Sequence, residues 1–144
     1  MIAPQCKQPC LILASVGVLV FLYFEWLSRT YGPAFYKNDF LNTKVVDVPM
    51  LDNCCSWWPV SHFILFAIAG YMYPDCGWPI LGLGVAWEGF EMSVNYFTST
   101  KRQFMELEDG SFEYSQNWWA GSSKDILFNT AGFIVGRTLR KCVV

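Results

Sequence analysis

The chain has 144 residues, room for one domain spanning 1–144, of which 53% are hydrophobic, 18% aromatic and 15% charged. Soluble domains carry about 25% charged residues, so this composition and a positive mean hydropathy point to a chain embedded in a membrane. The net charge of −2 excludes nucleic acid as a partner, since that partner needs a basic face.

The first apolar run covers about residues 11–27, long enough for a thin or tilted crossing. Its upstream flank holds only Lys7, and Phe24-Glu25-Trp26 stands where a signal peptidase needs small residues. It therefore reads as an uncleaved anchor rather than a signal peptide. A polar loop with Arg29, Gly32-Pro33, Lys37, Asn38-Asp39 and Lys44 follows, and residues 45–58 leave room for a short interfacial piece ending at Trp57-Trp58-Pro59. The second run is about 60–73, the third about 80–97, and Asp75, Gly77 and Pro79 make a tight turn between them. After a charged loop, Trp118-Trp119 leads into a fourth run at about 123–139. Paired tryptophans before the second and fourth runs suit an aromatic belt at the headgroups. The expected fold is all-α, a multi-pass integral membrane bundle of about four transmembrane helices with membrane lipids as partners. Runs two and four are short and carry polar residues, so a re-entrant or interfacial helix is the alternative for each.

Orientation is open. The face bearing both termini and the second turn has Lys7, Arg137, Arg140 and Lys141. The opposite face has Arg29, Lys37, Lys44, Lys101, Arg102 and Lys124, diluted by acids. The basic tail reads as a headgroup anchor. Six cysteines, at 6, 10, 54, 55, 76 and 142, include no Cys-x-x-Cys pair. Free thiols, buried or near the membrane, are the ordinary reading, with a disulfide the alternative.

The polar residues inside the apolar runs carry the functional signal. No Lys or Arg occurs between Lys44 and Lys101, yet Asp47, Asp52, Asp75, Glu88 and Glu91 do. Glu88, Glu91 and Asn95 share one helical face, and Asp125, Asn129, Gly132 and Gly136 form a stripe on another helix. Gly132-x-x-x-Gly136 allows a neighbouring helix to approach closely. Counting rise from the loop ends puts His62 and Asp125 within about 5 Å of one face, Glu91 and Asn129 at about 9–11 Å, and Glu88 near 14 Å. All of them reach the same half of the bilayer.

Structural roles exist for several of these residues. Ser122-x-x-Asp125 is a capping box, Asn129 can join helices, and a single His is commonly just satisfied. The two glutamates are harder to dismiss. An intramembrane carboxylate costs about 2.5–3.5 kcal/mol on insertion scales, and two of them three residues apart need a proton or a metal ion to neutralise them. Carboxylates of Glu88, Glu91 and Asp125, with Asn129, suit Ca²⁺ or Mg²⁺ rather than zinc.

These residues resemble two membrane families. The VanZ-like family is similar in a His opening its second span, a Glu late in its third, and Asp125-Ile-Leu-Phe-Asn129-Thr-Ala-Gly132 followed by Gly136. The likeness covers about residues 50–140, with Glu88-x-x-Glu91 where that family has Glu-x-x-Gln. The base-exchange phosphatidylserine synthases look similar at His62, Glu88-x-x-Glu91, Gln116-Asn117-Trp118-Trp119, Asp125 and Asn129. This second resemblance implies His62 as a base, Glu88 and Glu91 in catalysis, Gln116 and Asn129 at the substrate, and Ca²⁺ beside the headgroup. The chain departs from it at Gln116 and Ala120, where the synthases carry acids, and in an Asp-to-Asn spacing of four rather than five. Those synthases also have many more spans.

Two functions compete on this basis. One is binding or exchange of a phospholipid headgroup, with His62 taking a proton from an alcohol and a divalent ion holding phosphate. The other is a non-catalytic membrane component of a larger protein assembly, such as a capsid, envelope or organellar complex, whose polar cluster locks helices together. A proton-coupled transporter is a third, requiring oligomerisation.

Overall fold

The computed structural model describes residues 2–31, 40–43, 45, 56–99, 105–106, 112–113 and 123–143. Within them the fold is all-α. Four long helices dominate: α1 (Pro4–Tyr31), α2 (Trp57–Met72), α3 (Gly77–Ser99) and α4 (Ser123–Val143). A 3-10 turn at Phe40–Asn42 and a two-residue antiparallel pairing of Met105–Glu106 with Phe112–Glu113 complete the described elements.

Each helix starts where its sequence allows. Trp57 and Trp58, expected at the end of a separate interfacial piece, instead form the first turn of α2. Pro59 follows them as the third helical residue, where its missing N–H is one of the groups a helix start leaves unbonded anyway. The Trp57 ring stacks on Phe40 with centroids 5.5 Å apart, which docks the 3-10 turn on this helix end. Between α2 and α3 the chain reverses in four residues, held by Cys76 N–H donating to the Tyr73 carbonyl at 3.0 Å. Pro79 is again the third helical residue.

The glycines set the helix pairing. A Cβ on Gly132 would collide with the Phe63 carbonyl, one on Gly136 with the Ala67 carbonyl, and one on Gly70 with the Phe133 carbonyl. The blocking atoms are backbone, so α2 and α4 touch main chain to main chain, as small-residue spacing permits. The first two contacts advance four residues along both helices, so α2 and α4 run in the same direction. By the same reading, Cys6–Cys76, Gly17–Trp87 and Phe21–Phe90 make α1 parallel to α3. The result is an up-down-up-down arrangement with α1 and α4 ending, respectively beginning, opposite the α2–α3 turn. Lys7, the turn and the Arg137–Lys141 tail therefore share one end. Arg140 lies over the Tyr71 ring there, 5.5 Å from its centroid.

Cys6 and Cys76 form a disulfide with Cα atoms 5.5 Å apart, so these two are not the free thiols expected; Cys10 and Cys142 are free. The apolar core surrounds this bond, with Phe66, Ala69, Ile80 and Phe133 buried. Of the described helices, only α1 is both long and apolar enough to count by itself as a candidate membrane crossing. At 16 residues α2 is about 24 Å long, and α4 has charged residues at both ends.

Candidate functional site

Three helices bring polar side chains together beyond the apolar core. The α2–α3 turn sets their level. His62 lies ten residues before the end of α2 and Glu88 eleven after the start of α3, about 15 Å and 17 Å from the turn. The two meet there, with His62 Nδ1 at 3.6 Å from Glu88 Oε1. Asp125, in the first turn of α4, joins them, and one ligating atom from each of the three lies within 4.8 Å of the others.

Burial is deep for such groups. Glu88 is 2% exposed and Asn129 3%. Nδ1 of His62 and the Oδ1 atoms of Asp125 and Asn129 are buried with no hydrogen-bond partner among the described residues. Gly84, one turn before Glu88, makes the space: a Cβ there would sit 2.8 Å from the Phe66 ring and 3.2 Å from Asn129 Nδ2. Buried polar atoms left without partners are rare in native folds and call for a ligand, water or proton.

Glu91 behaves differently from its expected role. It is buried, but its Oε1 accepts a 2.6 Å hydrogen bond from Trp87 Nε1 on the same helix. The metal set expected from the sequence is Glu88, Glu91 and Asp125; the group that the fold brings within mutual ligand distance is His62, Glu88 and Asp125. The physical reason is that the helices are level at the turn, not at their loop ends. Counting from the loop ends made Glu91 the nearer glutamate and Glu88 the deeper one. Trp87–Glu91 is an i,i+4 pair that the sequence spacing already offered.

Beside the cluster lies a cavity of about 510 Å³, within the size range of small-molecule sites. Its walls are apolar residues of α1, α2 and α3, including Leu13, Phe24, Leu65 and Leu83, with Trp58 and Trp87 among them. His62, Glu91 and Asn129 supply its polar part. The arrangement can hold an amphiphile, with apolar surface along α1 and polar groups at the three-helix junction. Gln116, expected at the substrate, and the Trp118-Trp119 pair lie outside the described residues.

No family model matches the chain, and neither a curated protein nor a solved structure matches it.

Proposed function

We propose that all four helices cross a bilayer and that the chain binds a phospholipid in the cavity, its headgroup at His62, Glu91 and Asn129, beside Glu88 and Asp125. The distribution of polarity supports the membrane setting. Outward-facing apolar side chains occur on every helix, including Leu19 at 66% exposed, Ile68 at 54%, Val85 at 50% and Leu127 at 69%. Among the described residues the buried polar ones are Glu88, Glu91 and Asn129. Soluble proteins seldom expose apolar surface so broadly, whereas intramembrane acids face a bundle interior.

One observation carries the ligand reading: an apolar cavity that ends on His62, Glu91 and Asn129 beside a His-Glu-Asp cluster. The resemblance to base-exchange synthases supports the same class of ligand. Gln116 and Ala120, standing where the synthases carry acids, favour binding over turnover, with His62 as the group that would serve as base if exchange occurs. The test is native mass spectrometry of the detergent-solubilised chain. A one-to-one phospholipid adduct is expected for the wild type and should be lost in Ala14→Trp, which fills the cavity from α1. A wild type without the adduct, or a variant that retains it, rejects the reading. Radiolabelled serine, ethanolamine or choline offered with phospholipid vesicles should give little incorporation.

The disulfide favours one orientation where the charges leave both open. Such bonds persist in oxidising compartments, so the end holding Cys6–Cys76 is expected to face away from the cytosol. Free, exposed Cys142 lies at that end. Membrane-impermeant maleimide applied from the cytosolic side should leave Cys142 unmodified until the membrane is permeabilised, and should modify a Ser123→Cys variant at once. Immediate modification of Cys142 would reverse the orientation.

A further inference from the structure

We propose that His62, Glu88 and Asp125 form a binding site for one divalent first-row transition-metal ion of the Zn²⁺ class. The inference goes beyond phospholipid binding, uses the same junction, and holds for the protein without lipid. Distance gives the first argument. The 3.6 Å between His62 Nδ1 and Glu88 Oε1 is too long for a hydrogen bond. It matches two ligands that each stand about 2.1 Å from a shared ion and subtend about 120°. Ligands around a tetrahedral ion of this bond length stand about 3.4 Å apart, so a group within 4.8 Å closes on it when its widest pair approaches by up to about 1.4 Å.

Donor chemistry gives the second. Ca²⁺ and Mg²⁺ take oxygen ligands, whereas the mutually close group holds an imidazole nitrogen, that of His62, beside its two carboxylates. Nitrogen with two carboxylates selects zinc and its neighbours. Charge agrees: two carboxylates and a neutral imidazole balance a dication, so the loaded site adds no net charge to an interior that tolerates none.

Asn129 is the independent pointer. It is 3% exposed, its Oδ1 has no hydrogen-bond partner among the described residues, and it borders the same cavity as His62. One helical turn from Asp125, it stands as a fourth oxygen donor or as acceptor for a metal-bound water. A purely structural lock predicts that every one of these groups is hydrogen-bonded; the side chains of His62 and Asn129 stand close enough to interact, yet His62 Nδ1 and Asp125 Oδ1 have no partner among the described residues.

The test is Co²⁺ titration of the full chain, stripped with chelator and held in phospholipid-free detergent, so that failure here is separate from failure of lipid binding. One equivalent of Co²⁺ should bind with visible d–d absorption and be displaced by Zn²⁺ but not by Ca²⁺. His62→Ala and Asp125→Asn should each weaken binding by at least about 100-fold, while Asp75→Asn, at the α2–α3 turn away from the cluster, leaves it unchanged. Circular dichroism identifies any variant that fails to fold, and the other then carries the comparison. The proposal is overturned by absence of saturable Co²⁺ binding, by a thiolate charge-transfer band marking the cysteines as ligands, by displacement with Ca²⁺, or by folded variants that bind like wild type.

Discussion

Gly136→Ala is expected to destabilise the folded protein by about 3 kcal/mol, the upper end of the range for overpacking. The substitution adds one methyl group. Its neighbour, however, is the Ala67 carbonyl, with the Tyr71 backbone nitrogen at 2.9 Å from the new atom. A side chain can turn aside; backbone moves only with its helix, so α2 and α4 must separate and the contacts of Gly70 and Gly132 open with them. Gly82→Ala and Gly89→Ala are the matched controls. Nothing lies within 4 Å of a Cβ at either position, and replacing a helical glycine there should be neutral or stabilising by about 0.5–1 kcal/mol. Thermal or SDS-induced unfolding followed by tryptophan fluorescence separates the cases. If Gly136→Ala unfolds like Gly82→Ala, the close α2–α4 contact is wrong.

That contact was legible before any coordinates, because Gly132-x-x-x-Gly136 has its meaning in its spacing. The four helices were legible too, from the apolar runs, with starts off by seven residues in α1 and by three in the two proline-bearing starts of α2 and α3. In both cases a proline at the third helical position was read as preceding or opening the helix. Side-chain depth was harder to read. Periodicity places Glu88 and Glu91 on one face, but which of them meets His62 depends on where two helices are level. The loop ends, from which depth was counted, are poorly defined by sequence; the four-residue Tyr73–Cys76 reversal fixes the register instead. A difference of about one turn leaves Glu88 in the group and sets His62, a nitrogen ligand, where the sequence suggested the oxygen ligand Glu91. The role expected for Gln116 falls outside the described residues.

The disulfide was within reach of the same reasoning. An up-and-down order of four runs puts the start of the first beside the turn between the second and third, and so Cys6 beside Cys76. What the sequence lacks is the rotation of each helix about its own axis. That rotation decides whether two thiols at one level face each other or the surroundings.

Breaking that bond is the second large expected effect. Cys6 and Cys76 are 70 residues apart, a separation for which the chain-entropy model gives about 4.4 kcal/mol. That value assumes an unfolded random coil. In a bilayer the unfolded state keeps much of its helical structure, because backbone groups there must bond internally. Less freedom is then restored on breaking the bond, and Cys6→Ser should cost about 2–3 kcal/mol. Function should follow stability, because α1 forms one wall of the cavity through residues such as Leu13, Ala14 and Gly17. At the far end α1 is held by ring contacts, Phe21 with Phe90 and Phe24 with Trp58, at 5.2 and 5.3 Å between centroids. Without the disulfide it hinges on those rings and opens the cavity at the core end. Reductant should therefore lower the unfolding midpoint of the wild type and leave Cys6→Ser unmoved, while both the reduced protein and the variant lose bound phospholipid at lower detergent concentration. Should reductant shift the two proteins equally, or neither, the Cys6–Cys76 bond does not hold α1 in place.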